Sequence, residues 1–303
     1  MTTTKDFHQN VWSPLLEKEL RKLLELAVWE DAETDGDLTS RALVVETIEG
    51  AAVVVAREYG VLAGSQAVPM ILEAVDRALT WSPYRKDGDS LSPGEPVGDI
   101  RGPARSLLTA ERIVLNLLGR LSGIATLTRR FVDAVAGTGA KIYDTRKTTL
   151  GWRRLEKYAV RCGGGINHRT GLFDAVLIKD NHLAFGTESG DFTPADAVCQ
   201  ARDFLKTRIK EPLIIEIEVD TLSQLRAVLP ASPDIVLLDN MDAAMLRQAV
   251  EIRNSVSPHI ELEASGGVHL STVRGIAESG VDRISVGSLT HSATTLDLGL
   301  DWK

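Results

Sequence analysis

The chain has 303 residues, 44% of them hydrophobic and 25% charged, with a formal net charge of −8 from 34 basic and 42 acidic side chains. This is the composition of a globular protein with room for one large domain or two ordinary ones. No apolar run reaches the roughly 18 residues that a membrane helix needs, and the acidic balance does not suit nucleic acid. Any site for an anionic ligand must therefore be a local basic pocket, so clustered Arg and Lys are informative. The N-terminal stretch MTTTKDFHQNVWSPLLEKEL lacks the apolar centre of a secretion signal, and Cys162 and Cys199 form no metal-like pair. The expectation is a cytoplasmic protein with reduced thiols.

Residues 13–28 carry apolar positions at helical spacing behind a Ser-Pro start, which predicts a helix. The acidic stretch EDAETDGDLTSRAL at 30–43 reads as a loop. AAVVVAREYGVLAG at 51–64 predicts strand, turn and strand, and QAVPMILEAVDRAL a helix. Residues 82–104 are rich in Gly, Pro and Asp, with short strands expected inside them. SLLTAERIVLNLLGRLSGIATLTRRFVDAVAG predicts a long helical stretch broken near Ser122 and Gly123.

After Gly139 the rhythm changes. KIYDTRK, DAVLIKDNH, LIIEIEVD, DIVLLDNM, HIELEASGG and RISVGSL are short apolar runs ending in charged, polar or Gly residues, and helical segments separate most of them. Alternating strand and helix implies parallel strands with crossovers. Six or more such strands favour an α/β barrel over about 117–289, with chemistry at the C-terminal strand ends. The first part is then a smaller α+β domain, to which the last residues return.

Six constellations fall at or near those ends. Arg146 and Lys147 close KIYDTRK beside Asp144 and Thr145; adjacent cations suit carboxylate or phosphate, although a solvated loop explains them equally well alone. Gly163-Gly164-Gly165 allows close backbone approach at a cost in chain entropy, and it precedes Asn167, His168 and Arg169. His168 there is a candidate donor to a carboxylate or ring nitrogen. Lys179 leaves the DAVLI strand next to Asp180, with His182 read as structural or as a support. In IEIEV, period-two alternation puts Glu216 and Glu218 on one face, and Asp239 repeats the theme one strand later. Such carboxylates can bind ribose hydroxyls directly or through magnesium; an interior ion-pair network competes for Glu216 in particular. Ser265-Gly266-Gly267 and Val286-Gly287-Ser288 end the last two strands, where backbone N–H groups commonly hold phosphate. Arg112, Asn116 and Arg120 share one helix face, as a polar stripe at an interface would.

LTAERIVLNLLGRLSGIAT, DTRKTTLGWRRLEKYAVRCGGGINHR, LIKDNH, EIEV, LLDN, EASGG and GVDRISVGSLTHSA, in that order over about 108–300, resemble the quinolinate phosphoribosyltransferase family. The resemblance implies an N-terminal α/β sandwich at 1–116, rejoined by 290–303, and an incomplete α/β (TIM-like) barrel at 117–289. It implies a homodimer or larger assembly with shared sites. The implied reaction converts quinolinate and phosphoribosyl pyrophosphate to nicotinate mononucleotide, pyrophosphate and carbon dioxide, in the de novo route to NAD. It assigns Arg146, His168, Arg169 and Lys179 to quinolinate, and Arg112 to the partner subunit's site. Lys147, Glu218 and Asp239 fall to phosphoribosyl pyrophosphate and Mg2+, and Ser265, Gly266, Gly267 and Gly287 to the 5′-phosphate. Trp152-Arg153-Arg154 departs from the family pattern, and neither arginine is expected to be a ligand.

Three rivals remain. A relative with a monocarboxylate substrate needs fewer cations than this set. A non-catalytic phosphosugar sensor would keep the glycine loops without needing Lys147, Glu218 and Asp239. A barrel aldolase with Lys179 as a Schiff base needs that amine neutral and desolvated.

Overall fold

A computed structural model describes residues 6–186, 192–208 and 212–303. It separates into two compact units. One comprises 10–129, 148–164 and 289–303; the other holds the described residues among 1–9, 130–147 and 165–288. The strands in chain order are β1 (Glu49–Ala56), β2 (Gly60–Val61), β3 (Thr80–Pro83), β4 (Ser90–Leu91), β5 (Pro96–Pro103), β6 (Lys141–Tyr143), β7 (Val176–Ile178), β8 (Ile215–Val219), β9 (Ile235–Asp239), β10 (Glu261–Ser265), β11 (Arg283–Ser285) and β12 (Leu298–Trp302).

The first unit is built on a four-stranded antiparallel sheet in the order β12-β1-β5-β3. The chain's last strand returns to it, pairing Ala52 with Trp302 through Ala56 with Leu298. The segment 148–164 also belongs here. Its helix Arg153–Cys162 buries Leu155, Tyr158, Ala159 and Val160. Tyr158 donates its hydroxyl to Asp87 (2.6 Å), and Arg154 pairs with Glu19 (2.9 Å). This helix and the 6–9 arm each pack with the unit that the sequence order would not suggest.

The helix Ala104–Ala134 is continuous, which corrects the expected break at Ser122 and Gly123. Its buried face runs through Leu107, Ala110, Val114, Leu117, Leu118 and Leu121. A Cβ on Gly123 would collide with the carbonyl oxygen of Thr294, and Leu296 N–H donates to Gly119 O (3.0 Å). The small residues serve close approach of the C-terminal segment, not a kink. The acidic stretch at 30–43 is likewise not all loop: Asp37 accepts from Ser40 N–H (3.0 Å) and caps a short helix, Leu38–Leu43.

The second unit is an incomplete α/β barrel. Six parallel strands run in the order β6-β11-β10-β9-β8-β7. A stub at Ile166 extends the β6 side, through Asp144 N–H to Ile166 O (3.1 Å) and Ile166 N–H to Ile142 O (2.9 Å). β8 and β10 flank β9, so on a flat sheet they would lie about 10 Å apart. Yet ligand atoms of Glu216 on β8, Glu263 on β10 and His168 beside β6 all lie within 4.8 Å of one another. Only a sheet curled on itself brings these three together. Phe7, Tyr143, Ala175, Ile214 and Ile235 form an apolar cluster. No helix among the described residues is long and apolar enough to cross a membrane.

Candidate active site

Asp144 organises the mouth of the barrel. It is fully buried, accepts from His168 N–H (2.8 Å) and from the Asn167 side-chain amide (2.6 Å), and so ties the loop after the three glycines to the end of β6. This tie brings Arg146 and Arg169 near each other. Arg169 is only 6% exposed, and its pKa lies below the ordinary arginine value, first because burial disfavours the charge and then because Arg146 repels it. Asp174 shapes the next turn, accepting from Thr170 N–H (2.6 Å) and Gly171 N–H (2.9 Å). Two cations thus stand in a partly dry setting where a dianion would relieve their repulsion.

On the adjoining strands, Lys179 is ion-paired with Glu218. Its own N–H donates to His182 Nδ1 (2.9 Å), so His182 caps the turn instead of facing the mouth. Asp239 is half-buried and accepts from the Asn240 amide (2.7 Å). Asn240 N–H in turn donates to Ser265 O (2.9 Å), joining two strand ends. Gly266 has φ +90°, and a Cβ there would strike the Asn240 side chain. Both the backbone angle and the close approach require glycine at that position. Gly267 (φ +58°) opens onto free space, as a backbone donor surface needs. Lys147 is exposed, and Gly287 follows β11 at the same rim.

His168 sits otherwise than a direct base contact would require. It is 5% exposed and stacked on Phe7, with ring centroids 4.2 Å apart. Arg169 N–H donates to its Nδ1 (2.8 Å), and its Nε2 lies 2.9 Å from Glu216 Oε2 and 3.5 Å from Glu263 Oε1. A backbone N–H can only donate, so Nδ1 accepts and Nε2 carries a proton aimed at the carboxylates. The cluster is therefore a set of close polar contacts and not a metal centre, since a ligating nitrogen would need its lone pair free.

Glu216 and Glu263 are fully buried, and desolvation pushes each up to about 7. For Glu216, Arg283, Arg169 and Lys179 oppose that rise; for Glu263, Glu216 adds to it and His168 opposes it. Glu216 fills the role of interior network member weighed for it from sequence. Asp144 stood out only as a neighbour of the Arg146-Lys147 pair, and Glu263, Arg283 and Phe7 were not legible; for Glu263, its alternation with Leu262 and Ala264 in ELEAS was the one available signal.

The folded-state value of Glu263 lies above the 4.5 of an unfolded carboxyl. Its contribution to stability is thus complete below about 4.5 and lost as pH rises through about 7. Glu263→Gln removes that dependence. The melting temperature of the variant minus that of wild type should be more positive at pH 8 than at pH 5, by on the order of 5 °C. Parallel melting curves at the two pH values would contradict it.

Arg112 and Asn116 are exposed on the long helix, but Arg120 is not part of a free stripe. It pairs with buried Glu156 (2.6 Å) and donates to Ala293 O (3.0 Å). Arg153 donates to Thr148 Oγ1 (3.0 Å), and Arg154 is held by Glu19, so both serve local structure.

Residues 124–301 match the model of the C-terminal domain of quinolinate phosphoribosyl transferase, and 37–122 that of its N-terminal domain. The chain is 44% identical over 288 residues to the carboxylating nicotinate-nucleotide pyrophosphorylase of Mycobacterium leprae, covering 93% of this chain and 96% of that one. It is 40% identical over 283 residues to a probable enzyme of the same name from Bacillus subtilis, covering 93% of each. The solved structure of the nicotinate-nucleotide pyrophosphorylase from Francisella tularensis superposes with a TM-score of 0.87 at 34% identity, over 98% of this chain and all of that one.

Proposed function

This chain belongs to the quinolinate phosphoribosyltransferase family, and we infer from that premise that it joins quinolinate to the ribose of phosphoribosyl pyrophosphate, giving nicotinate mononucleotide, pyrophosphate and carbon dioxide. The observation that carries this reading is the partly dry pair Arg146 and Arg169 at the strand ends that also bear Lys179, Glu218 and Asp239.

Arg146, Arg169 and Lys179 meet the two carboxylates of the base, with Arg169 suited to a bidentate contact. Lys147 faces the pyrophosphate, and Ser265, Gly266, Gly267 and Gly287 hold the 5′-phosphate through backbone donors. The pyridine nitrogen bonds to the anomeric carbon as pyrophosphate departs with the electrons of the broken C–O bond. Glu218 and Asp239 stabilise positive charge growing on the ribose. The new pyridinium then accepts the electron pair left when the C2 carboxylate departs as carbon dioxide, and a proton takes its place. No covalent nucleophile is required.

Glu218 and Asp239 also offer hard oxygen donors. Among the described residues, the one group of three or more potential ligands is the His168 cluster, so the rim carboxylates have no third protein ligand. That donor set fits Mg2+ held largely by substrate oxygens and water. When bound, the ion would neutralise charge on the leaving pyrophosphate.

Incubation with phosphoribosyl pyrophosphate and either quinolinate or nicotinate tests the substrate. Product from quinolinate alone is expected; product from nicotinate alone would overturn the assignment.

The assembly belongs to the same proposal: a homodimer or larger homo-oligomer in which exposed Arg112 completes the partner's site. Mixing Arg112→Ala with Arg146→Ala chains then regenerates one intact site per mixed dimer, about half the wild-type activity. No recovery in verified mixed dimers would contradict shared sites.

A further inference from the structure

The N-terminal arm is built into the base of the barrel at several points. Asp6 accepts from the Tyr143 hydroxyl (2.8 Å) and lies 3.4 Å from Arg283 Nη2. Gln9 grips the backbone of Asn167 from both sides: its Oε1 accepts from Asn167 N–H (2.8 Å), and its Nε2 donates to Asn167 O (3.2 Å). Between them Phe7, 4% exposed, stacks on the His168 ring at an interplanar angle of 27°.

These contacts converge on one residue. With Nδ1 engaged by Arg169 N–H, Nε2 aimed at Glu216 and Glu263, and a face covered by Phe7, the imidazole has its edge and face fixed together. It is a strut, and what it carries is the backbone of Arg169. Truncating Phe7 opens space beneath the ring, lets the imidazole tilt, and shifts the N–H that sets where the guanidinium begins.

We propose that Phe7 is a positioning residue for the pyridine-carboxylate subsite, acting through His168 on Arg169, with Gln9 holding the same loop by its backbone. A plug that served only stability would lower the melting temperature and leave substrate constants alone. A strut moves one constant more than the other: Phe7 also meets Arg283 on β11, and His168 meets Glu263 on β10, but both contacts lie within the strands, two or more residues before the glycine loops that follow them.

The inference rests on the quinolinate assignment made above. The test is steady-state kinetics on the full chain, wild type, Phe7→Ala, Phe7→Leu and Gln9→Ala, with each substrate varied in turn. Phe7→Ala should raise KM for quinolinate about tenfold, with KM for phosphoribosyl pyrophosphate within about twofold and kcat at saturation within about threefold. Phe7→Leu, which refills the space, should recover part of the loss, and Gln9→Ala should shift the same constant by about threefold. If Phe7→Ala does not fold, Gln9→Ala decides. Unchanged KM for quinolinate in the folded variants, or equal rises in both KM values, would overturn the proposal while leaving wild-type turnover intact. A wild type that does not use quinolinate would overturn both this and the assignment beneath it.

Discussion

Arg169→Ala should lose about 100- to 1000-fold in kcat/KM for quinolinate, as expected when one partner of a buried charge pair is truncated. KM for phosphoribosyl pyrophosphate should move by less than about threefold. The physical reason is the environment of the side chain. Arg169 is nearly buried, and both desolvation and its neighbour Arg146 work against its charge in the free protein. A dicarboxylate repays that cost at once, whereas a phosphate bound on the far strand ends does not. Arg169→Lys should recover little, because an ammonium cannot reproduce the two parallel hydrogen bonds of a guanidinium. Initial rates with each substrate varied at saturation of the other decide the matter. Equal losses for both substrates would remove Arg169 from the base subsite.

Lys147→Ala should act on the other half of the reaction. Lys147 is exposed in the segment after β6, next to Arg146, and an ammonium on a flexible four-carbon stem can follow a departing group better than a planar guanidinium can. Removing it should lower kcat by about 100- to 1000-fold, the range seen when a positioned donor for developing charge is lost. Quinolinate affinity, measured by calorimetry without the second substrate, should be nearly unchanged. A kcat within about threefold of wild type would place pyrophosphate stabilisation elsewhere.

Much of this layout was legible before any coordinates. Short apolar runs ending in polar residues put Lys179, Glu218, Asp239, Ser265 and Gly287 on or just beyond strand ends, because a parallel barrel collects its C-terminal ends at one rim. Period-two alternation also placed Glu216 beneath Glu218. What alternation does not reveal is curvature. Glu216 and Glu263 meet because the sheet curls past β9, and nothing local to either strand encodes that approach.

Long-range partners were equally silent. Phe7 lies 161 positions before the ring it covers, in a stretch whose composition suggests only a tail. Arg283, buried between Phe7, Tyr143 and Glu261, looked like one more strand residue. The Ser122-Gly123 pair misled for a related reason. In a helix such residues weaken propensity, but here they admit the passing chain at Thr294, and packing outweighs the local cost of about 1 kcal/mol.

The most direct measurement supplies quinolinate labelled in its 2-carboxylate together with phosphoribosyl pyrophosphate and Mg2+, and counts labelled carbon dioxide, pyrophosphate and nicotinate mononucleotide in one reaction. Equal amounts of all three are predicted, with none formed when phosphoribosyl pyrophosphate is omitted. Pyrophosphate released without labelled carbon dioxide, or a nucleotide that keeps both carboxylates, would contradict the assignment.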